Sequence, residues 1–338
     1  MDAQAILVWI VPFFLIFMGL ELFYFYKIDR RVYKTKDTLC SLSCGFGQAL
    51  VDSILKVFLI WSYDILQRKI GIAPQPPSVL RLISAFIVVD FMYYVYHRLS
   101  HNINWMWAIH VVHHSSSEFN YSVALRQAWF QKLSAFPFYL LFIFTGVGAE
   151  LIGVIIAIHA CWQFLSHTRM SKNEIPIVRW LFVTPAHHRV HHGTNPQYIN
   201  RNFAGVLSVW DRLFNSYEPE VEAVKYGISP QLEKYGVWKI NTHIWLDIFR
   251  DLRSLPTIRQ KWKLLWSSPQ GAQSDSPIPP KKSNNPSTPL LIFQTCVFLL
   301  IICFLAFHPT WPLTWRLTLG ACLLVFLIFS GQLIDKTL

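Results

Sequence analysis

The chain alternates long apolar blocks with short polar, basic or proline-containing segments. Residues 5–26 (AILVWIVPFFLIFMGLELFYFY) are long enough to cross a bilayer, which takes roughly 20 residues of helix. The preceding MDAQ is not a basic leader and no small-residue cleavage pattern follows, so the block reads as a retained helix rather than a signal peptide. Lys27, Arg30, Arg31, Lys34 and Lys36 come next and mark the cytoplasmic side. A second block covers 44–66 and ends near Trp61 and Tyr63. A loop with Pro74, Pro76 and Pro77 leads to a third, weaker block at 79–96, which carries Asp90 and delivers the chain to His97. Residues 129–147 and 149–166 predict a helical hairpin turning around Gly146 to Gly148. Each arm is slightly short, so a re-entrant pair is the alternative.

From 167 to 289 the chain is polar, with sixteen Lys+Arg against nine Asp+Glu, and this excess again places it on the cytoplasmic side. Inside it, Ile244, Trp245, Ile248, Phe249 and Leu252 recur at helical spacing, with Arg250, Asp251 and Arg253 off the apolar face. Such a helix lies on a membrane surface or packs on the protein's own cap. Residues 267–289 are rich in Pro and Ser and read as a disordered linker. Two further apolar blocks follow, 290–307 and 312–334. The organisation expected is therefore an N-terminal membrane helix and basic loop (1–39), a catalytic core (40–266), the linker (267–289) and a C-terminal pair of membrane helices (290–338). The fold class is an all-α integral membrane protein: a multi-pass transmembrane helix bundle with a cytoplasmic histidine-rich di-metal cap. In that topology His97, the 100–128 segment and the 167–289 segment meet on one face.

Composition supports the membrane reading. Hydrophobic residues are 53% and charged residues 14% of the chain, whereas a soluble domain carries roughly 25% charged residues. The net charge of +11 fits basic loops and anionic lipid better than nucleic acid, which needs no long apolar runs. The six cysteines, Cys40, Cys44, Cys161, Cys296, Cys303 and Cys322, form no Cys-x-x-Cys pair and read as reduced rather than as a disulfide or thiolate framework.

The candidate chemistry is in three histidine boxes: His97-x-x-x-His101, His110-x-x-His113-His114 and His188-x-x-His191-His192. Positions three and four apart share a helix face, so each box points its imidazoles one way. Eight imidazoles on three faces can surround two metal ions, four to each, with positions left open. Packed together without metal they would leave ring nitrogens unsatisfied or, if protonated, repelling. Imidazole suits iron, zinc and copper alike. His167 ends the 149–166 block near the boxes and is a ninth candidate ligand. His187 points elsewhere on its helix. His159 lies two turns deeper, roughly 12 Å along the axis, and reads as a buried polar residue or cavity lining. His243 and His308 look incidental. Asp90, Glu118 and Asp211 are candidates to orient the imidazoles, with salt bridges to Arg98, Arg126 or Arg212 as the plainer alternative. Asn120, Arg126 and Gln127 are candidates for a head-group or cofactor pocket, or for structural hydrogen bonds.

With the segments YYVYHRLSHNINWMWAIHVVHHSSSEFNYSVALRQAWFQ (93–131), WQFLSHTRM (162–170) and TPAHHRVHHGTNPQYINRNFAGVLSVWDRLFNSY (184–217), the chain resembles the fatty acid hydroxylase/sterol desaturase superfamily of membrane di-metal oxidases. The likeness covers about residues 80–220. The stretch EFNYSVALRQ (118–127) and Asn202-Phe203-Ala204-Gly205 with Trp210-Asp211-Arg212 point to its alkylglycerol monooxygenase branch. The resemblance implies that the eight box histidines are metal ligands. It also implies a di-iron cofactor, O2 as co-substrate and tetrahydrobiopterin as electron donor, with a redox protein as the alternative donor. The implied reaction hydroxylates the carbon beside the ether oxygen of an alkylglycerol, whose hemiacetal falls apart to fatty aldehyde and glycerol. A sterol, fatty acid or carotenoid hydroxylase or desaturase is the competing reading. A zinc-binding membrane protein or a transporter is the third, but transport favours ionisable groups at mid-bilayer, whereas the boxes fall at the ends of apolar blocks.

Overall fold

A computed structural model describes residues 3–76, 78–171, 174–228, 236–269, 286–307 and 310–336. Pro77, His308 and most of the expected linker lie outside the described residues. The described chain is helical, and its one β pairing is an isolated bridge between Phe182 and Leu207.

The long helices are α1 (Ala3–Ile28), α2 (Thr35–Ile70), α3 (Val79–Asn102), α7 (Ala149–Ser166), α13 (Thr288–Phe307) and α14 (Leu313–Lys336). Among the described residues five stretches are long and apolar enough to cross a membrane: Thr35–Leu55, Val79–Asn102, Ala149–Ser166, Thr288–Phe307 and Leu313–Lys336. The protein is thus a multi-pass integral membrane protein. The remaining helices are α6 (Gln131–Leu140), which is apolar, and those of the polar cap: α4 (Asn104–His114), α5 (Tyr121–Ala124), α8 (Pro176–Leu181), α9 (Pro185–His191), α10 (Val209–Leu213), α11 (Val237–Ser254) and α12 (Ile258–Trp266).

The second apolar block sits inside a longer helix than its hydropathy alone marks. The helix starts at Thr35, inside the basic stretch, and runs to Ile70, so the block 44–66 lies within it. The reason is tertiary. Lys36 and Asp37 are buried against the cap, and Asp37 pairs with Arg126 at 2.9 Å. Polar residues with buried partners do not have to end a helix at water.

The hairpin is asymmetric. Its first arm is α6 followed by a 3₁₀ turn, Leu141–Phe144. Gly146 turns the chain at φ 67°, in the left-handed region that favours glycine. The turn packs against the end of α2 remote from Asp37: the amide of Ile72 donates to Ile143 O at 2.8 Å, and Tyr63 Oη donates to Val147 O at 3.2 Å.

Two apolar cores hold the bundle. One joins α13 and α14 to α2, α4 and α11 through Cys44, Leu50, Ile240, Phe298, Ile301 and Leu327. The other packs α3 and α7 on the hairpin turn through Val89, Phe142 and Ile155. Together they fix the ends of α3 and α7, where the histidines emerge.

Candidate metal centre

Nine buried histidines form two adjoining groups: His97, His101, His110, His114 and His191, and then His113, His167, His188 and His192. In each group the candidate ligand atoms lie within 4.8 Å of one another. All eight box histidines and His167 are therefore brought together. They divide five and four, where four and four was expected. The groups touch where the rings of His114 and His192 stack at 4.4 Å between centroids.

Each element delivers its imidazoles for a local reason. α3 ends just past His101, so the first box hangs from the end of a membrane helix. α4 follows after one residue and presents His110 and His114 to one group and His113 to the other. His167 is the C-cap of α7 and leaves the helix at φ −85°, ψ 53°. α9 opens with Pro185 at its first position, where the missing N–H costs nothing, behind a capping box of Thr184 and His187.

The rings are oriented by backbone carbonyls. The Nδ1–H of His97 donates to Phe203 O at 2.8 Å, that of His113 to Arg126 O at 3.2 Å, that of His167 to Gln163 O at 2.6 Å, and that of His191 to Arg201 O at 3.0 Å. A carbonyl only accepts, so these four rings hold their proton on Nδ1 and turn a bare Nε2 inward. His113 Nε2 and His167 Nε2 are 3.1 Å apart, and His191 Nε2 is buried with no hydrogen-bond partner among the described residues. Burial also keeps the rings neutral. It pushes His167 down to about 4 and His110, His113, His114, His188, His191 and His192 well below the ordinary histidine range.

Lone pairs converging in a buried site are the arrangement that a cation satisfies. Spacing provides a further test. Metal–nitrogen bonds of about 2.1 Å set ligands at right angles about 3.0 Å apart. The Nε2 pairs stand at 3.0 Å (His97–His110), 3.2 Å (His110–His114), 2.9 Å (His167–His188) and 3.2 Å (His188–His192). The donor set fits two metal ions. No carboxylate joins either group among the described residues.

The carboxylates expected beside the imidazoles act one step further out. Asp211 accepts from the amides of Phe203 and Ala204 at 2.7 and 2.9 Å and from Ser216 Oγ at 2.8 Å. It thereby fixes the Phe203 carbonyl that holds His97. Asp90 accepts from the Val206 and Leu207 amides, Trp210 Nε1 and His159, so His159 is a buried polar partner. Glu118 pairs with Lys34 and lies 3.9 Å from Arg169. Arg126 is buried in its pair with Asp37 and also donates to Ser115 Oγ at 2.9 Å, directly after the second box. Asn120 caps α5, accepting from the Ser122 amide, and donates to Val32 O. Gln127 sits against His113 Nδ1 at 3.3 Å.

His187 turns away, as its helix position predicts: its Nδ1 accepts from the Thr184 amide. Sequence reasoning missed the orienting carbonyls, because a carbonyl has no residue signature. A partial signal was present in Asn200 and Asn202, which adopt φ 57° and 55° beside Arg201 and Phe203. Asparagine tolerates this conformation better than most residues.

Residues 82–216 match the fatty acid hydroxylase family. The alkylglycerol monooxygenase of Xenopus tropicalis is 32% identical over 258 residues, covering 76% of this chain and 57% of that protein. The human alkylglycerol monooxygenase is 34% identical over 263 residues, 76% of this chain and 58% of its own length. An ornithine lipid hydroxylase of Rhizobium tropici is 26% identical over 170 residues, 47% and 49% of the two chains. The chain thus spans little more than half the length of the alkylglycerol monooxygenases it matches. No solved structure matches it.

Proposed function

We propose, for a chain that belongs through residues 82–216 to the fatty acid hydroxylase family, the function of a membrane monooxygenase that hydroxylates a lipid, cleaving the O-alkyl ether bond of alkylglycerols. The observation that carries the reading is the pair of all-histidine groups at the ends of membrane helices.

In this reading His97, His101, His110, His114 and His191 hold one ion, and His113, His167, His188 and His192 hold the other. Iron is the metal the family implies, and bound iron would supply reductive activation of O2. The group of four has fewer protein ligands and so leaves more room for exchangeable ones. Phe203 packs on His97, His101 and His191, and Phe119 packs on His167, His188 and His192. These rings keep water from the centre. The carbonyls on Nδ1 hold the imidazoles in place while a substrate docks.

The overall change is balanced by two electrons and two protons from a donor. One oxygen atom enters the C–H bond beside the ether oxygen, and the other leaves as water. The hemiacetal then breaks its C–O bond to give aldehyde and glycerol. Tetrahydrobiopterin is the donor this reading expects, with a redox protein as the alternative. Residues 40–266 serve as the catalytic core, and the helices within 290–338 as an added pair. The histidine face is cytoplasmic, because Lys27 at the end of α1 and Arg30, Arg31 and Lys34 before α2 gather on that side.

The test is aldehyde release from a 1-O-alkylglycerol by membranes containing the protein, with and without tetrahydrobiopterin, beside a His113→Ala control. Pterin-dependent aldehyde that vanishes in the control supports the reading. Folded, iron-loaded protein that releases none rejects the ether-lipid assignment and leaves the sterol, fatty acid or carotenoid hydroxylases.

A further inference from the structure

α11 and α12 carry an apolar surface that neither the bundle nor the metal centre uses. At about 100° per residue, Val237, Ile240, Ile244 and Ile248 fall on one side of α11. Of these Val237, Ile240 and Ile248 are buried. Trp238, Leu246 and Phe249 fall on another side and are exposed. On α12 the separation is sharper. Ile258, Trp262 and Trp266 recur every four residues along one stripe and are 83%, 63% and 46% exposed.

Basic side chains edge both stripes. Lys239, Arg250 and Arg253 border that of α11, and Arg259 and Lys263 border that of α12. Asp247 and Asp251 are the acidic residues of Val237–Trp266, and both are within 3.7 Å of the Arg250 guanidinium. Leu246 and Phe249 with Arg250 and Arg253 line an open groove of ≈ 500 Å³. Two tryptophans in an exposed apolar stripe beside cations have the composition of a membrane–water interface.

The fold sets the level of this surface. α11 begins on the end of membrane helix α14: the Gly236 amide donates to Asp335 Oδ2 at 3.0 Å, and Gly331 packs against Val237. The α11–α12 segment therefore leaves the bundle where a spanning helix reaches the head groups. It is also tied to the helix that carries the second histidine box. The Asn104 amide donates to Ser267 O at 2.9 Å, Asn104 Nδ2 donates to Leu264 O at 3.2 Å, and Trp107 and Val111 of α4 pack with Ile244.

We propose that α11 and α12 form an interfacial platform that seats on anionic phospholipid of the membrane holding the bundle. Trp238, Leu246, Phe249, Ile258, Trp262 and Trp266 enter the head-group layer, and the flanking Arg and Lys take the lipid phosphates. The platform is independent of the reaction assigned to the histidines. Its link to α4 holds the second box at a set distance from the lipid surface.

The test uses the full chain in nanodiscs with brominated lipid. The Trp262 and Trp266 signal is the fluorescence of the wild type minus that of a Trp262→Phe, Trp266→Phe variant. Brominated phosphatidylglycerol should quench that signal at least twofold more than an equal fraction of brominated phosphatidylcholine. The preference should disappear in an Arg250→Gln, Arg253→Gln, Arg259→Gln, Lys263→Gln variant that keeps the wild-type metal content. No quenching by either lipid overturns the platform. Equal quenching by both overturns its selectivity for anionic lipid. Protection of the pair that grows with protein concentration in lipid-free detergent would make a second copy of the chain the occupant, and would overturn the proposal too.

Discussion

His113 Nε2 and His167 Nε2 lie 3.1 Å apart with no hydrogen atom to share. The proton of each ring is committed on the other nitrogen, to Arg126 O and Gln163 O. Burial that pushes His167 down to about 4 prevents a second proton from binding near neutral pH. Two lone pairs in a dry interior repel unless a cation joins them. A metal ion bound between them would relieve this contact, which ties metal binding to the stability of the fold.

Metal removal is therefore expected to destabilise the protein. Purified chain should carry two divalent ions by elemental analysis. A chelator should lower its thermal midpoint, because a ligand at about a thousand times its Kd contributes about 4 kcal/mol to the folded state. An unchanged midpoint after complete stripping would contradict the argument from lone pairs.

His187 and His188 are neighbours with opposite fates. His188→Ala should release at least one ion per chain. His187→Ala should keep both, because that ring caps α9, and should cost only about 0.5–2 kcal/mol. Metal counts and melting curves on the two variants separate the roles.

Asp211 tests orientation through the backbone. Asp211→Asn replaces one of two accepting oxygens by a donor facing the amides of Phe203 and Ala204. The Phe203 carbonyl would then lose its hold on His97. A loss of 10–100-fold in metal affinity is expected, as for other partners of ligating histidines. Titration with a competing chelator reads it directly.

The Arg126–Asp37 pair is buried on both sides. Arg126→Met strands a carboxylate and should cost about 3–5 kcal/mol. Adding Asp37→Asn should recover a large part of that loss. A double-mutant cycle in chemical denaturation yields the coupling. Purely additive effects would mean that the pair does not anchor α2 to the second box.

Gly205 admits no side chain. A Cβ there would lie 2.0 Å from His159 Cε1 and 2.7 Å from Tyr93 Cδ1, and Asp90 holds that imidazole at 2.6 Å. Gly205→Ala should destabilise the fold by about 1–3 kcal/mol or more, visible as a lower melting midpoint or as loss of folded protein.

The apolar blocks placed α3, α7, α13 and α14 within a few residues, because a bilayer imposes a length and a polarity that any sequence must meet. The block at 44–66 lies within α2 but missed its start at Thr35. What permits Thr35 to start that helix is Arg126, a residue far along the chain, and hydropathy sees only neighbours. The three boxes named their histidines because helical spacing of imidazoles is itself the signal. His167 stands outside any box, and only its place at the end of an apolar block brought it into consideration.

The sequence by itself determined that the chain crosses a membrane several times and that eight histidines lie on common helix faces, since periodicity and transfer free energy act within a segment. Tertiary structure alone decided the division of nine histidines into five and four, the carbonyls that aim them and the remote carboxylate behind Phe203. Those choices depend on which loop returns to which helix end. They are made by packing and by buried hydrogen bonds between residues far apart in the chain, such as His97 and Phe203.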